Sequence, residues 1–251
     1  MDELLKIYDR DVRANPIYPD IIPVVRNKHT VKLEGPLTFI SYWDIPEDRM
    51  SQIVHEEVND YKKNNTHLMW RVFEHDTPPN LESALEYEGL KKFDSVTLMT
   101  LAIDDSKFEK TDLDIRELKE SSELHDFLAV VETAFGEPDP FGFEYHDKLL
   151  AVPNFKYYVG YSDNTPVAAA RFEIPIKSRF GLLFGGCVIP SYRGKGFYKA
   201  LISARYTDAK KMGLKYISTE ARETSRPILE KLGFRPLAKG RTWELTSNTS
   251  I

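Results

Sequence analysis

The stretch that decides the fold is Gly185-Gly186-Cys187-Val188-Ile189-Pro190-Ser191-Tyr192-Arg193-Gly194-Lys195-Gly196-Phe197-Tyr198-Lys199-Ala200-Leu201. It opens as an apolar run of strand type, stops at Pro190, passes through a loop with two glycines and enters a helix with Phe197, Leu201 and Ala204 on one stripe. Lys210 and Lys211 fill the last turn of that helix and Gly213 lies beyond its end. A helix N-terminus carries unpaired N–H groups and the positive end of the dipole, and glycines at 194 and 196 let a bulky anion reach the backbone. The loop therefore reads as an anion site, to which Arg193, Lys195 and Lys199 add charge. Gly185-Gly186 inside a strand predicts a bulge or the close approach of a ligand backbone.

Working outward, Leu113, Ile115 and Leu118 form a short strand pattern, and Ser121 or Ser122 is placed to cap a helix that buries Leu124, Phe127, Leu128, Val131 and Phe135. Gly136 and Pro138 stop it. A weaker helix spans Phe143 to Leu150, and two strands, Phe155 to Ser162 and Val167 to Ile174, flank the turn Asp163-Asn164-Thr165-Pro166. Strand Gly181 to Ile189 and helix Gly194 to Met212 follow. Strand Tyr216 to Thr219, a short helix from Arg226 to Leu232 capped by Ser225, and strand Arg241 to Thr246 close the chain. The order β-α-α-β-β-β-α-β-α-β predicts a mixed α/β sheet.

Residues 1–111 are less patterned, yet helix (Glu47 to Lys63), strand (Leu68 to Phe73), short helix (Pro79 to Tyr87) and strand (Ser95 to Ile103) repeat the order seen from Gly194 onward. Leu85-Glu86-Tyr87-Glu88-Gly89-Leu90 echoes Leu229-Glu230-Lys231-Leu232-Gly233-Phe234, which points to an internal duplication. Short helices often end in Gly, which would give the same echo without shared ancestry. Lys107 to Asp112 is the expected linker, placing a first domain at 1–111 and a second at 112–251. Trp70 and the His75-Asp76-Thr77-Pro78 turn read as a structural corner, with Asp76 or Thr77 capping the next helix.

Over residues 112–251 the chain resembles the GNAT superfamily of N-acetyltransferases, whose loop reads Gln/Arg-x-x-Gly-x-Gly/Ala between a strand and a helix. Arg193 and Gly196 match that loop, and Tyr198 stands where the family has Gly or Ala. The resemblance implies a tandem α/β (α+β) fold of two GNAT-like mixed sheets flanked by helices, with the C-terminal half complete and the N-terminal half degenerate, lacking the phosphate loop. It implies that the pyrophosphate of acetyl-CoA lies on Arg193, Gly194, Lys195, Gly196, Phe197 and Tyr198, and that the pantetheine arm pairs with Cys187, Val188 and Ile189 on a bulged, splayed strand. It further implies direct attack of a primary amine on the thioester. Many members place a proton-donating Tyr where this chain has Leu229.

Glu173 and Glu220, on the strands either side of the splayed one, are the candidate bases, since attack requires a neutral amine. A surface or salt-bridge role is open for both. Cys187 is expected as a buried filler, because direct transfer needs no acyl-enzyme. The six histidines show no zinc-ligand spacing, so no metal is expected. A non-catalytic acyl-CoA sensor or scaffold is the alternative function. Tandem-fold transferases that use aminoacyl-tRNA share the duplicated architecture, but not the intact phosphate loop.

The formal net charge of −5, from 34 Lys plus Arg against 39 Asp plus Glu, argues against nucleic acid as a partner. The charge is uneven, with 15 Lys/Arg against 5 Asp/Glu in residues 177–251 and 19 against 34 before them. The acidic part favours cationic amine acceptors; a solvated acidic face would give the same count. A single cysteine, no signal-peptide run and no apolar stretch near 20 residues give the expectation of a cytoplasmic protein without a membrane partner.

Overall fold

A computed structural model of the chain describes residues 2–104, 108 and 111–246. Its elements run α1 (Glu3–Tyr8), a π-helical turn (Asp9–Ala14), β1 (Val24–Arg26), β2 (Thr30–Leu33), β3 (Thr38–Trp43), a 3₁₀ turn (Glu47–Arg49), α2 (Met50–Asn64), β4 (Leu68–Phe73), α3 (Leu81–Tyr87) and β5 (Lys91–Ala102). Then come β6 (Asp114–Glu117), a 3₁₀ turn (Ser121–Glu123), α4 (Leu124–Phe135), α5 (Gly142–Leu150), β7 (Phe155–Ser162), β8 (Thr165–Glu173) and β9 (Phe180–Val188). A 3₁₀ turn (Pro190–Tyr192), α6 (Phe197–Lys211), β10 (Tyr216–Ala221), α7 (Arg226–Lys231) and β11 (Arg235–Leu245) complete the order. The expected linker residues Lys107, Glu109 and Lys110 lie outside the described residues.

The described residues fall into two compact units, one within Met1–Met99, Glu220–Lys231 and Arg235–Ile251, the other within Thr100–Thr219 and Leu232–Phe234. In the first, the strand order is β1-β2-β3-β4-β11-β5. β3 and β4 are parallel, joined by a crossover through α2, and β11 runs antiparallel to β4 with Trp243 opposite Trp70. Met50, Ile53, Val54 and Val58 of α2 recur at helical spacing and pack on Ile40, Leu68, Trp70, Val72 and Trp243. Trp70 is fully buried, so its role is packing. The turn after it differs from the expected cap: Asp76 accepts the Phe73 N–H at 2.8 Å and a bidentate Arg13 pair at 2.9 and 2.7 Å, and α3 begins after Asn80. Arg13, arriving from the π-helical turn, takes the carboxylate that would otherwise cap the helix.

In the second unit the order is β10-β9-β8-β7-β6. Asp163 and Asn164 both take positive φ, 50° and 62°, so a two-residue turn closes the β7–β8 hairpin. Gly136, at φ 82°, ends α4 as its sequence predicts. The start of α4 differs from the expected serine cap. Glu120 and Glu123 form a reciprocal capping box, with the N–H groups of Lys119 and Glu120 donating to Glu123, while the Ser121 hydroxyl donates to Asp147. A carboxylate is the stronger acceptor and wins the cap.

The two units repeat one motif. β3 leads through Ile45-Pro46 and a 3₁₀ turn into the 15-residue α2, and β9 leads through Ile189-Pro190 and a 3₁₀ turn into the 15-residue α6. In the first copy Arg49 is followed at once by the helix; in the second, Gly194-Lys195-Gly196 intervene after Arg193. Those three residues are what the first copy lacks.

α6 is buried well beyond the expected stripe, and Arg205 and Asp208 point inward. Asp208 accepts hydrogen bonds from Lys156 at 2.6 Å and from the Tyr158 hydroxyl at 2.7 Å. Burial disfavours its charged form, but these donors outweigh burial and hold the carboxyl below its usual range. A depressed native pKa contributes stability that is present above the unfolded value near 3.9 and lost as pH falls through the folded one. We therefore expect thermal stability to drop steeply below about pH 4, and Asp208→Asn to lower the neutral-pH melting temperature while flattening that acid limb. Parallel acid limbs in melts of the two proteins would remove the assignment.

Candidate active site

The loop after β9 exposes its backbone at the start of α6. Gly194 and Gly196 have φ of 77° and 91°, which side-chain-bearing residues rarely adopt. A Cβ on Gly194 would meet nothing within 4 Å, and one on Gly196 would meet only Leu113 at 3.5 Å, so the space above the loop is open. Gly196 is the N-cap of α6 and brings no side chain to it; its carbonyl accepts the Ala200 N–H at 3.0 Å. The N–H groups of the first turn, Phe197 to Lys199, have no intrahelical partner. A pyrophosphate fits this cradle in charge, donor set and room.

The flanking cations are arranged unequally. Arg193 turns back on the protein, its Nε donating to the Val188 carbonyl at 3.2 Å and Nη2 to Ala134 at 3.4 Å, and so braces the loop against the strand. Lys195 lies over the Tyr192 ring at 4.1 Å, and Lys199 is exposed.

β9 carries the expected bulge. Ala169 pairs with Cys187 and Arg171 with Phe184, so β9 has one residue more than β8 in this interval, at Gly185-Gly186, and Gly185 takes φ 57°. On its other side the parallel ladder with β10 covers Phe180 to Leu182 against Tyr216 to Ser218, after which the Thr219 hydroxyl donates to the Leu183 carbonyl. β9 runs on to Val188 past the end of that ladder. Cys187 and Val188 are buried on this segment, Ile189 follows it, and burial pushes the Cys187 thiol up to about 12, unsuited to a nucleophile.

The two candidate carboxylates have separate settings. Glu173, 6% exposed at the end of β8, is held by Arg171 at 2.7 Å. Arg171 lies over the rings of Phe184 and Phe141 at 5.5 and 5.8 Å. Glu220 belongs to the first unit, where it pairs with the buried Arg71. Leu229, at the position of the family tyrosine, is buried.

Three features were missed from the sequence. His146 is fully buried, with Nε2 2.9 Å from Asp139 and Nδ1 2.8 Å from the Tyr157 hydroxyl. Because the carboxylate can only accept, His146 Nε2 donates to Asp139. Arg171 and Arg205 are the other two, both charged residues in apolar patterns. Among the described residues no group of three or more His, Cys, Asp or Glu side chains could hold a metal ion, and no helix is long and apolar enough to cross a membrane.

Residues 121–234 match the model of the Acetyltransferase (GNAT) family. No curated protein matches the chain in sequence. Among solved structures, the fold is similar to a GCN5-related N-acetyltransferase from Kribbella flavida, at TM-score 0.67 and 15% identity over 98% of this chain and 93% of that one. A functionally unknown conserved protein from Staphylococcus epidermidis gives TM-score 0.64 and 14% identity over 98% and 100%. A tandem GNAT protein from the clavulanic acid biosynthesis pathway gives 0.59 and 13% over 94% and 86%. The repeated strand-helix motif, the glycine loop present in only one copy and these likenesses agree: over residues 121–234 the chain carries an acetyltransferase domain of the GNAT family, within a GNAT fold that extends over nearly its whole length.

Proposed function

We propose that this protein is an acetyl-CoA-dependent N-acetyltransferase that moves an acetyl group to a primary amine by direct attack on the thioester. The observation that carries the reading is the uncapped, glycine-lined start of α6 beside a bulged strand that outruns its parallel neighbour. Arg193, Gly194, Lys195, Gly196, Phe197 and Tyr198 would hold the pyrophosphate, mainly through backbone N–H groups, and Cys187, Val188 and Ile189 would pair with the pantetheine amides. The amine nitrogen bonds to the acetyl carbon, the carbon–sulfur bond breaks with its electron pair going to sulfur, and the proton lost from nitrogen is balanced by one gained at sulfur, giving amide and thiol. The charge split favours cationic amines as acceptors.

The test is release of free thiol from acetyl-CoA across a panel of polyamines, basic amino acids, aminoglycosides and neutral amines, with calorimetry of acetyl-CoA alone. Thiol release with at least one amine supports the transferase. Binding without turnover supports an acyl-CoA sensor or scaffold, which the buried Leu229 and the Arg71-paired Glu220 favour. Absence of binding removes both.

For the base we expect Glu173→Gln to lower kcat by about 10² to 10⁴, the usual worth of a general base, with acetyl-CoA affinity unchanged. Glu220→Gln should then leave kcat nearly intact, because one base suffices; both carboxylates are ion-paired, Glu173 with Arg171 and Glu220 with Arg71. The reverse pattern would transfer the role to Glu220, and full rate in both would leave catalysis to positioning.

A further inference from the structure

Arg205 is a buried cation without a carboxylate. It is 1% exposed in the middle of α6; Nε donates to the Leu201 carbonyl at 3.0 Å and Nη1 to the Arg171 carbonyl at 3.2 Å. Its electrostatic neighbours are the Tyr198 and Tyr158 phenols and the Cys187 thiol, and no carboxylate among the described residues pairs with it. Buried charges are normally paired, because an uncompensated ion in a low dielectric is costly. Burial alone pushes this guanidinium down to about 10.

Its location supplies the reason. Tyr198 and Arg205 are seven residues apart, two turns along one face of α6. Both converge on Gly186: a Cβ there would lie 3.2 Å from Tyr198 Cε2 and 3.5 Å from Arg205 Nη2. A half-buried phenol and a buried cation thus border the bulged residue of β9, next in the chain to the segment that is proposed above to carry the pantetheine arm.

Resting on that acetyl-transfer reading, we infer that Tyr198 is the proton donor to the leaving sulfur and that Arg205 is the positioning residue that makes its phenol able to give the proton up. As the carbon–sulfur bond breaks, its electron pair goes to sulfur, the Tyr198 hydroxyl protonates the sulfur, and the phenolate faces the guanidinium. The phenolate then recovers the proton shed by the acylated nitrogen, so that amine plus thioester give amide plus thiol. The device replaces the donor missing at Leu229, and explains a tyrosine at a loop position where Gly or Ala would serve the phosphate.

The probe is free CoA, whose thiolate absorbs in the ultraviolet, titrated on the protein and in solution. Cys187, the chain's single cysteine, ionises too high to interfere. The thiol of bound CoA should have an acid dissociation constant raised about tenfold or more over free CoA, the effect of a nearby cation and hydrogen-bond donor. Arg205→Met should abolish most of that rise, Arg205→Lys should retain part of it, and Tyr198→Phe, which removes only a hydroxyl, should diminish it in the CoA that remains bound. Should Arg205→Met fail to fold, Tyr198→Phe decides alone. CoA that binds with an unaltered thiol, or a shifted thiol indifferent to both Arg205→Met and Tyr198→Phe, would overturn the inference and leave Arg205 as a brace on two carbonyls. No CoA binding at all would overturn the acetyl-transfer reading itself, and this inference with it.

Discussion

Gly196→Glu should abolish measurable acetyl-CoA binding in a protein that still folds. At φ 91° a side-chain-bearing residue is strained by about 1–2 kcal/mol, a tolerable fraction of a typical stability of about 5–15 kcal/mol. The Cβ itself has room, its nearest neighbour being Leu113 at 3.5 Å. The damage is electrostatic: a carboxylate at the N-cap satisfies the first-turn N–H groups that the pyrophosphate would use, and repels the phosphates besides. Losing two charge-assisted hydrogen bonds at about 1.5–3 kcal/mol each corresponds to an affinity loss of about 10² to 10⁴. Gly196→Ala carries similar strain without the charge and should lose far less. Calorimetry of both variants, with circular dichroism melts to show folding, separates the contributions. Unchanged affinity in Gly196→Glu would remove the anion cradle, and equal losses in the two variants would make the effect one of backbone strain.

What was legible in the sequence is what local patterning encodes. Strands Leu68–Phe73 and Phe155–Ser162 read to the residue, because each is an apolar run bounded by turn formers. The strand-loop-helix around Arg193 to Gly196 read correctly because proline, glycine and a helix start all mark it, and the bulge at Gly185-Gly186 because glycine is out of place in a strand interior. β1, β2 and β3 went unread: they are three, four and six residues long and lie among prolines, with little alternation to see. β11 was read from Arg241, yet it starts at Arg235, since Pro236 and Gly240 interrupt its pattern. Its partner β4 lies some 170 residues away in the chain, and no local signal carries such pairing.

In the site, backbone features were visible and side-chain partnerships were not. Glu220 could be named as a carboxylate at a strand end, but its pairing with Arg71 depends on a contact between residues 149 positions apart. Arg205 and Asp208 were hidden because both sit at helical spacing from Leu201 and Ala204, on the apolar stripe, where a charged side chain is not expected to be buried. Only the three-dimensional packing of α6, buried on more than one stripe, shows that these charges face inward.

The other large effect is expected in the first unit, where Arg13→Met should destabilise the protein by about 3–5 kcal/mol at neutral pH, as the breaking of a buried ion pair does. Arg13 is 3% exposed and holds Asp76 by two hydrogen bonds, Asp9 at 2.7 Å and the Ser41 carbonyl at 3.0 Å. Met keeps an apolar chain over the Phe73 ring, which the guanidinium carbon approaches to 4.6 Å, so packing loss is small beside the two carboxylates left without their cation. Adding Asp76→Asn should recover part of the loss, since a neutral amide is cheaper to bury than a stranded carboxylate. pH supplies an independent check. Burial disfavours the charged form of Asp9, but its bonds to His75 and Arg13 outweigh that and hold it below the usual range, so its contribution is present above about pH 3.9 and lost as pH falls through the folded value. In the variant the carboxylates take up protons at higher pH, which relieves the very strain that destabilises it. The deficit should therefore narrow as pH falls, first between about pH 6 and pH 4 as the variant is spared its stranded charge, and further below about pH 3.9 as the wild type loses the Asp9 contribution. Denaturant unfolding at several pH values measures this. A deficit that stays constant with pH, or one below about 1 kcal/mol throughout, would show that the Arg13 cluster is held by packing and that its charges contribute nothing net.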